Sequence, residues 1–311
     1  MLNRPFLLHF MAMLSPMGDI PTTNKTFGSV THNTPSVQDC FLKSFTLSPE
    51  LVGIVNVTPD SFSDGGLYYD ADQATKQALQ LVSDGARVVD LGAQSTRPGS
   101  SMRILEEEYA RLKPVLDNLS HYMKAGNIKV SIDSFWPDVI LKALEYYSIV
   151  WVNHVKGDLD DNTLKAIASG GCSIVIMHSL SIPPHKDNII PGNTDPINTI
   201  NHWAEKSIDK LLALGFNKSS IIIDPGIGFG KYLYQNIWIL RKIEALQSFC
   251  CKVLVGPRKS FISSFSSELA FNRDLEPIST LSVLYNKVDF LRVHNVRDHM
   301  RFFVAQAALQ G

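Results

Sequence analysis

Residues Leu51–Gly85 read LVGIVNVTPDSFSDGGLYYDADQATKQALQLVSDG. The stretch opens on an apolar run, Leu51–Val57, which predicts a strand. An unbroken apolar run, rather than an alternating one, is the pattern of a strand covered on both faces. A polar loop, Asn56–Gly66, follows, with Asp60, Asp64, two serines, one threonine and a closing glycine pair. From Asp72 to Asp84 the pattern changes: Ala74, Ala78, Leu81 and Val82 recur at helical spacing. Strand, polar loop and helix in this order are one βα unit of a parallel sheet.

The unit repeats. Further apolar runs stand at Arg87–Leu91, Ile128–Asp133, Ile149–Asn153, Cys172–Met177, Ser220–Asp224, Lys252–Val255 and Phe290–His294, with helical segments such as Ile104–Ala125 between them. With the first run these make eight, and eight βα units predict a closed (β/α)8 TIM barrel of the α/β class. A chain of 311 residues suits one such barrel. In this fold the chemistry sits at the C-terminal ends of the strands.

Each run delivers polar residues at that end. Asn56 and its loop follow the first, GAQSTRPGS the second, Asp133-Ser134 the third, and Asn153-His154 the fourth. The fifth ends in Met177-His178-Ser179, the sixth in DPGIGFGK (Asp224–Lys231), the seventh in VGPRKSF (Val255–Phe261) and the eighth in RVHN (Arg292–Asn295). One Asp after a strand is ordinarily a helix cap; eight polar endings on one rim describe a mouth. Asp133, Asn153 and Asp224 are short acceptors suited to a flat heterocycle bearing N–H groups. Arg97, Lys259, Arg292 and His294 suit phosphate or carboxylate, and an arginine can also stack on a ring. Asn56 is a hard oxygen donor that could help hold Mg²⁺ beside a polyphosphate. His178 and His294 are candidate general bases, each with an equally good structural reading.

Other chemistries are excluded by pattern. GIGFGK is not a Walker A loop, because Pro225 stands where its first glycine belongs and Tyr232 follows Lys231. No G-x-S-x-G elbow and no H-E-x-x-H or paired zinc spacing occurs. A substitution on a substrate carrying its own leaving group needs no enzyme nucleophile, only positioning and charge.

The 29 basic and 30 acidic residues give a net charge of −1, which points to neither nucleic acid nor an anionic membrane as partner. Four scattered cysteines without a C-x-x-C pair suit a reducing cytoplasm. The apolar stretch Pro5–Leu14 is too short to span a bilayer. Residues 1–45 read as an N-terminal extension or linker, and 46–311 as the barrel domain.

GIVNVTPDSFSDGG, STRPGS, SIDS, DPGIGFGK, RKSF and RVH, in that order, resemble the dihydropteroate synthase family over about residues 51 to 309. The resemblance implies a (β/α)8 pterin-binding barrel and a transferase of folate biosynthesis, the target of sulfonamides. Such an enzyme joins 6-hydroxymethyl-7,8-dihydropterin diphosphate to p-aminobenzoate, with Mg²⁺. By position it assigns the pterin to Asp133, Asn153, Met177, Asp224 and Lys259, and gives Arg292 to ring and diphosphate together with His294. It assigns Mg²⁺ to Asn56, and p-aminobenzoate to Thr96, Arg97, Pro98, Phe229 and Ser260. Asn56, Thr96, Arg97, Lys259, Arg292 and His294 form the catalytic set. Asn56–Gly66 and Ser95–Ser101 correspond to loops that close over the substrates. A homodimer is the family's common state.

Four positions depart from the family pattern. Ala93-Gln94 replaces a Gly-Glu pair, His154 replaces an Asp, Asn295 replaces an Asp, and Gly256–Lys259 is one residue short. RPFLLHFMAMLSP (Arg4–Pro16) resembles the end of a hydroxymethyldihydropterin pyrophosphokinase, which is fused upstream in some organisms. A pterin-binding methyltransferase-type barrel and a non-catalytic synthase paralogue remain as alternatives.

Overall fold

In a computed structural model of the chain, the structure describes residues 49–57, 71–93, 105–181, 187–256 and 282–310. Eight strands, all parallel, close into a barrel in sequence order: β1 Glu50–Asn56, β2 Val88–Gly92, β3 Val130–Asp133, β4 Ile149–His154, β5 Ser173–Met177, β6 Ile221–Asp224, β7 Lys252–Val255 and β8 Phe290–Val293. Every expected run is a strand, displaced by at most two residues at either end. The barrel closes where Leu51 and Val52 of β1 lie beside Leu291 and Arg292 of β8.

Seven described α-helices cover the barrel: α1 Ala71–Ser83, α2 Leu105–Lys124, α3 Pro137–Tyr146, α4 Asp161–Ser169, α5 Pro196–Ala213, α6 Leu233–Arg241 and α7 Val296–Gln310. The helix of the opening stretch buries Ala74, Ala78 and Leu81, as its spacing requires. Helix starts follow local chemistry: the Asp160 carboxylate accepts from the Asn162 and Thr163 N–H groups, and Asp195 accepts from Ile197 ahead of Pro196. None of the described helices is long and apolar enough to cross a membrane.

The alternation of side chains along a strand separates two cores. Outward residues such as Leu51, Val55, Val89, Leu91, Ile132, Ile174 and Ile176 meet the helices in one large cluster. Inward, Val52, Val88, Val175, Ile222, Leu254 and Phe290 form an apolar plug, on which Trp151 packs edge-on to Phe290 at 4.7 Å. Two residues further along most of the same strands stand Asp90, Asn153, Met177, Asp224, Gly256 and Arg292. The barrel therefore has an apolar floor with a polar layer directly above it.

The glycine-rich turn after β6 bears on that layer. Gly226 has φ +66°, and a Cβ there would lie 2.0 Å from the carbonyl oxygen of His178. Gly126 has a similar φ of +72° with nothing within 4 Å of such an atom. Gly126→Ala is therefore expected to cost only the left-handed backbone penalty of about 1–2 kcal/mol. Gly226→Ala must also displace backbone, and should lose at least twice as much in urea denaturation. Equal losses would show that the β6 turn yields freely.

Candidate active site

The polar layer is a connected network. Arg292, from the last strand, donates from Nε to Asp90 Oδ2 and from Nη2 to Asp133 Oδ2, each at 2.6 Å. Asn153 Nδ2 donates to the same Asp90 Oδ2 at 2.9 Å. Asp224 Oδ1 accepts the Gly226 N–H at 2.7 Å, which leaves Oδ2 facing the Gly256 side, 3.8 Å from the space a Cβ would take there. A Cβ at Gly256 would stand at ordinary contact distance from the Arg292 stem, 3.5 Å away, so Gly256 lies between Asp224 and Arg292. Asp90 and Asn153 are almost fully buried, at 1% and 4% exposure.

Three carboxylates so close in a buried layer cannot all ionise cheaply. Burial first, then the neighbouring Asp90 charge, pushes Asp133 up to about 7 against the pull of Arg292. Burial likewise pushes Asp224 up to about 6, against the Gly226 N–H and the Arg292 charge. Burial alone would lower the Arg292 pKa, but the Asp90 and Asp133 carboxylates reverse this and hold it raised. The guanidinium is the fixed positive charge of the layer.

Lys231 ends the β6 turn and turns inward beneath it. Its ammonium donates to the carbonyls of Phe229 at 2.8 Å, Gly226 at 2.9 Å and His178 at 3.2 Å. Burial lowers its pKa to about 7, with Asp224 resisting. Asn236 of α6 accepts the Gly228 N–H, so the turn is tied from both sides. Gly226, Gly228 and Gly230 all have positive φ, as a turn this tight requires. The turn carries Phe229 into a small apolar cluster with Met177 and Val155.

The structure brings Asp133, Asn153, Met177, Asp224 and Arg292 together around one mouth. Asn56 ends β1 on the same rim, beside Gly92, which itself pairs with Asp133. His294 directly follows β8, two residues after Arg292, and is half-buried. Thr96, Arg97, Pro98, Lys259 and Ser260 lie outside the described residues, as do most of the two expected closing loops and Gln94.

His178 is placed differently. It follows Met177, so strand alternation turns it outward, where it meets Trp203 of α5 edge-on at 5.3 Å. Burial, followed by the Lys231 charge, lowers its pKa to about 3. It is a neutral wall residue and no base for the mouth. His154 also faces outward: Nε2 accepts the Asp158 N–H at 3.0 Å, and Nδ1 lies 3.4 Å from the Ser134 carbonyl. Asn295 caps α7, accepting the Asp298 N–H. These two departures from the family pattern therefore fall on scaffold positions.

Asp90 was not among the expected site residues. Its signal in the sequence was a single carboxylate inside an otherwise apolar strand, VVDLG, where burial obliges it to find a partner.

An eight-stranded barrel with a charged network at the C-terminal ends of its strands defines the chain as a barrel of the enzyme type. A model of the pterin-binding enzyme family matches residues 52–294, and the chain belongs to that family, among its dihydropteroate synthases. The chain is 38% identical to a folate synthesis bifunctional protein of Chlamydia caviae, over 98% of this chain and 70% of that one. Its structure resembles the dihydropteroate synthase of Anaplasma phagocytophilum with bound 6-hydroxymethylpterin-monophosphate (TM-score 0.74, 31% identity, covering 85% of this chain and 99% of that one). It likewise resembles the Xanthomonas albilineans enzyme with 4-aminobenzoic acid (TM-score 0.75, 30% identity, covering 86% and 95%).

Removing Arg292 would leave Asp90 and Asp133 as uncompensated neighbours. Arg292→Ala should destabilise the fold by about 3 kcal/mol or more, the usual cost of breaking one side of a buried pair. The sign with pH is set by Asp133. Its folded pKa already lies above the unfolded value and would rise further without the guanidinium. Ionising it then weighs against the native state as pH increases. The deficit measured in urea should therefore be larger at pH 8 than at pH 5, and a pH-independent loss would show that Arg292 is not the neutralising charge.

Proposed function

We propose that the chain joins 6-hydroxymethyl-7,8-dihydropterin diphosphate to p-aminobenzoate, giving 7,8-dihydropteroate and diphosphate, as a transferase of folate synthesis. The observation that carries this reading is the layer of acceptors at the barrel mouth, buried Asn153 and Asp224 with part-buried Asp133, in which Arg292 bonds Asp133 directly and Asn153 through Asp90. A pterin presents several N–H groups on a flat edge, and these complement acceptor oxygens already stripped of water. The amine nitrogen forms a bond to the methylene carbon while the carbon–oxygen bond to diphosphate breaks. The diphosphate leaves with the electron pair, and the amine loses a proton. No covalent enzyme intermediate is needed.

The same reading gives each residue a role. Met177 and Phe229, together in one apolar cluster, flank the ring and the p-aminobenzoate side respectively. Arg292 has Nε and Nη2 committed to carboxylates, so its Nη1 edge is the one that meets a phosphate oxygen, with His294 beside it. The family resemblance assigns Lys259 to the pterin, and Thr96, Arg97, Pro98 and Ser260 to p-aminobenzoate. Asn56 would hold Mg²⁺ with phosphate oxygens and water. One neutral oxygen at the rim fits a cation that keeps most of its water, and among the described residues no three His, Cys, Asp or Glu side chains are grouped to cage a metal. The ion supplies charge neutralisation of the departing diphosphate. The chain acts in the cytoplasm, where buried thiols such as Cys172 stay reduced, and as a homodimer by analogy with its family.

The deciding assay is diphosphate release. It should require both the pterin diphosphate and p-aminobenzoate, and a chain that binds pterin without this release would be a binding paralogue. The pocket also implies a pH dependence. N–H donors favour ionised carboxylates, so protonating Asp133 near pH 7 and Asp224 near pH 6 opposes binding. Affinity for 6-hydroxymethylpterin should therefore weaken by about tenfold or more from pH 7.5 to pH 5.5, since one unit below a controlling pKa is a factor of ten. Calorimetry should find this slope reduced in Asp133→Asn, and an equal slope would remove Asp133 from the pterin edge.

A further inference from the structure

Asp90 has the geometry of a residue that acts through others. Its carboxylate is almost fully buried, and Oδ2 accepts from both Arg292 Nε and Asn153 Nδ2. Oδ1 has no hydrogen-bond partner among the described residues. A buried carboxylate with an unused oxygen is costly to the fold. An apolar side chain of similar size would sit on the valine and isoleucine floor without that cost, so packing alone does not account for Asp90.

What the carboxylate does supply is polarity. An ionised carboxylate can only accept hydrogen bonds, whereas a carboxamide both donates and accepts. Beside Asp90, Asn153 must therefore present its NH₂ group to the carboxylate. The same constraint fixes which side of the amide carries the oxygen, because the two ends of a planar carboxamide exchange places only by a full flip. Asn153 Oδ1 is then held on the side away from Asp90, in the layer shared with Asp133 and Asp224. The Arg292 plane is fixed by the same oxygen, since its Nε bond to Asp90 and its Nη2 bond to Asp133 define an edge of the guanidinium.

We propose that Asp90 is the positioning residue that sets the hydrogen-bonding polarity of the pocket, locking Asn153 as an acceptor and so selecting a pteridine that offers amino and N–H donors over one that offers carbonyl oxygens. This rests on the pterin-binding reading above. Asp90 touches no ligand in this account. It decides which way a ligand-facing amide points.

The test compares two probes by calorimetry, 6-hydroxymethylpterin and 6-hydroxymethyllumazine, which differ by an amino group against an oxo group on the pyrimidine ring. Wild-type protein should prefer the pterin. In Asp90→Asn the residue at 90 can donate as well as accept, so Asn153 is free to turn, and the preference should fall about tenfold or more. The exchanged pair Asp90→Asn/Asn153→Asp keeps the charge and the atoms. It again places an acceptor-only group on the ligand side, so the preference should return. It also keeps the test open where the single variant does not fold. A structural role alone would weaken both probes equally, so an unchanged ratio in Asp90→Asn would overturn the proposal, as would a double variant that folds yet stays unselective. If neither probe binds wild-type protein, it is the pterin reading that fails.

Discussion

The buried pairing of Arg292 with Asp90 and Asp133 is the constraint on which the site depends. One guanidinium from the last strand bridges carboxylates of the second and third strands, across the inside of the barrel. The bridge is costly to bury and would be replaceable by apolar side chains if stability were its only purpose. Its retention makes sense as pre-organisation. Acceptors that a ligand must reach are already dehydrated, oriented and partly neutralised before the ligand arrives, and little reorganisation is left to oppose binding. The apolar plug beneath matters for the same reason, because it excludes water from below.

The β6 turn is a second, separate piece of rigid positioning. Three carbonyls converge on one ammonium, and positive-φ glycines let the backbone curl tightly enough to bring them there. Phe229 is thereby held against Met177 while Asp224, at the start of the turn, keeps one oxygen for the mouth. The apolar cluster of Phe229, Met177 and Val155 thus depends on the turn, whereas the Arg292 network depends on the strands.

Much of this was legible in the chain. The eight strands were readable because residues covered on both faces leave unbroken apolar runs, and Asp133, Asn153, Asp224 and Arg292 stood at their ends within recognisable motifs. Asp90 was not, because a lone carboxylate in VVDLG carries no local mark of its partners, which lie 63 and 202 residues away. His178 could have been placed from parity alone: with Met177 inward, the next residue must face the helices. His154 and Asn295 stood out in the motif comparison as departures from the family pattern. They proved to be scaffold positions, since what they contact depends on the face of the strand and on helix capping rather than on neighbouring letters. Lys231 was read correctly as no phosphate lysine, but its three carbonyl partners depend on how the turn folds back under itself.

The sequence separation within the network has a consequence for how the protein is made. On the ribosome the strands bearing Asp90, Asp133 and Asp224 emerge before Arg292, which stands in the strand that seals the barrel. At about 5–20 residues per second the nascent chain spends several seconds or more with its acidic strands exposed and their counter-charge unsynthesised. During that interval burying the carboxylates would leave them unpaired, which is costly. The arrival of β8 supplies both the last ladder of hydrogen bonds and the cation that makes the interior tolerable. Closure of the barrel and neutralisation of the Asp90–Asp133 pair therefore arrive with the same strand, the last of the eight to be made.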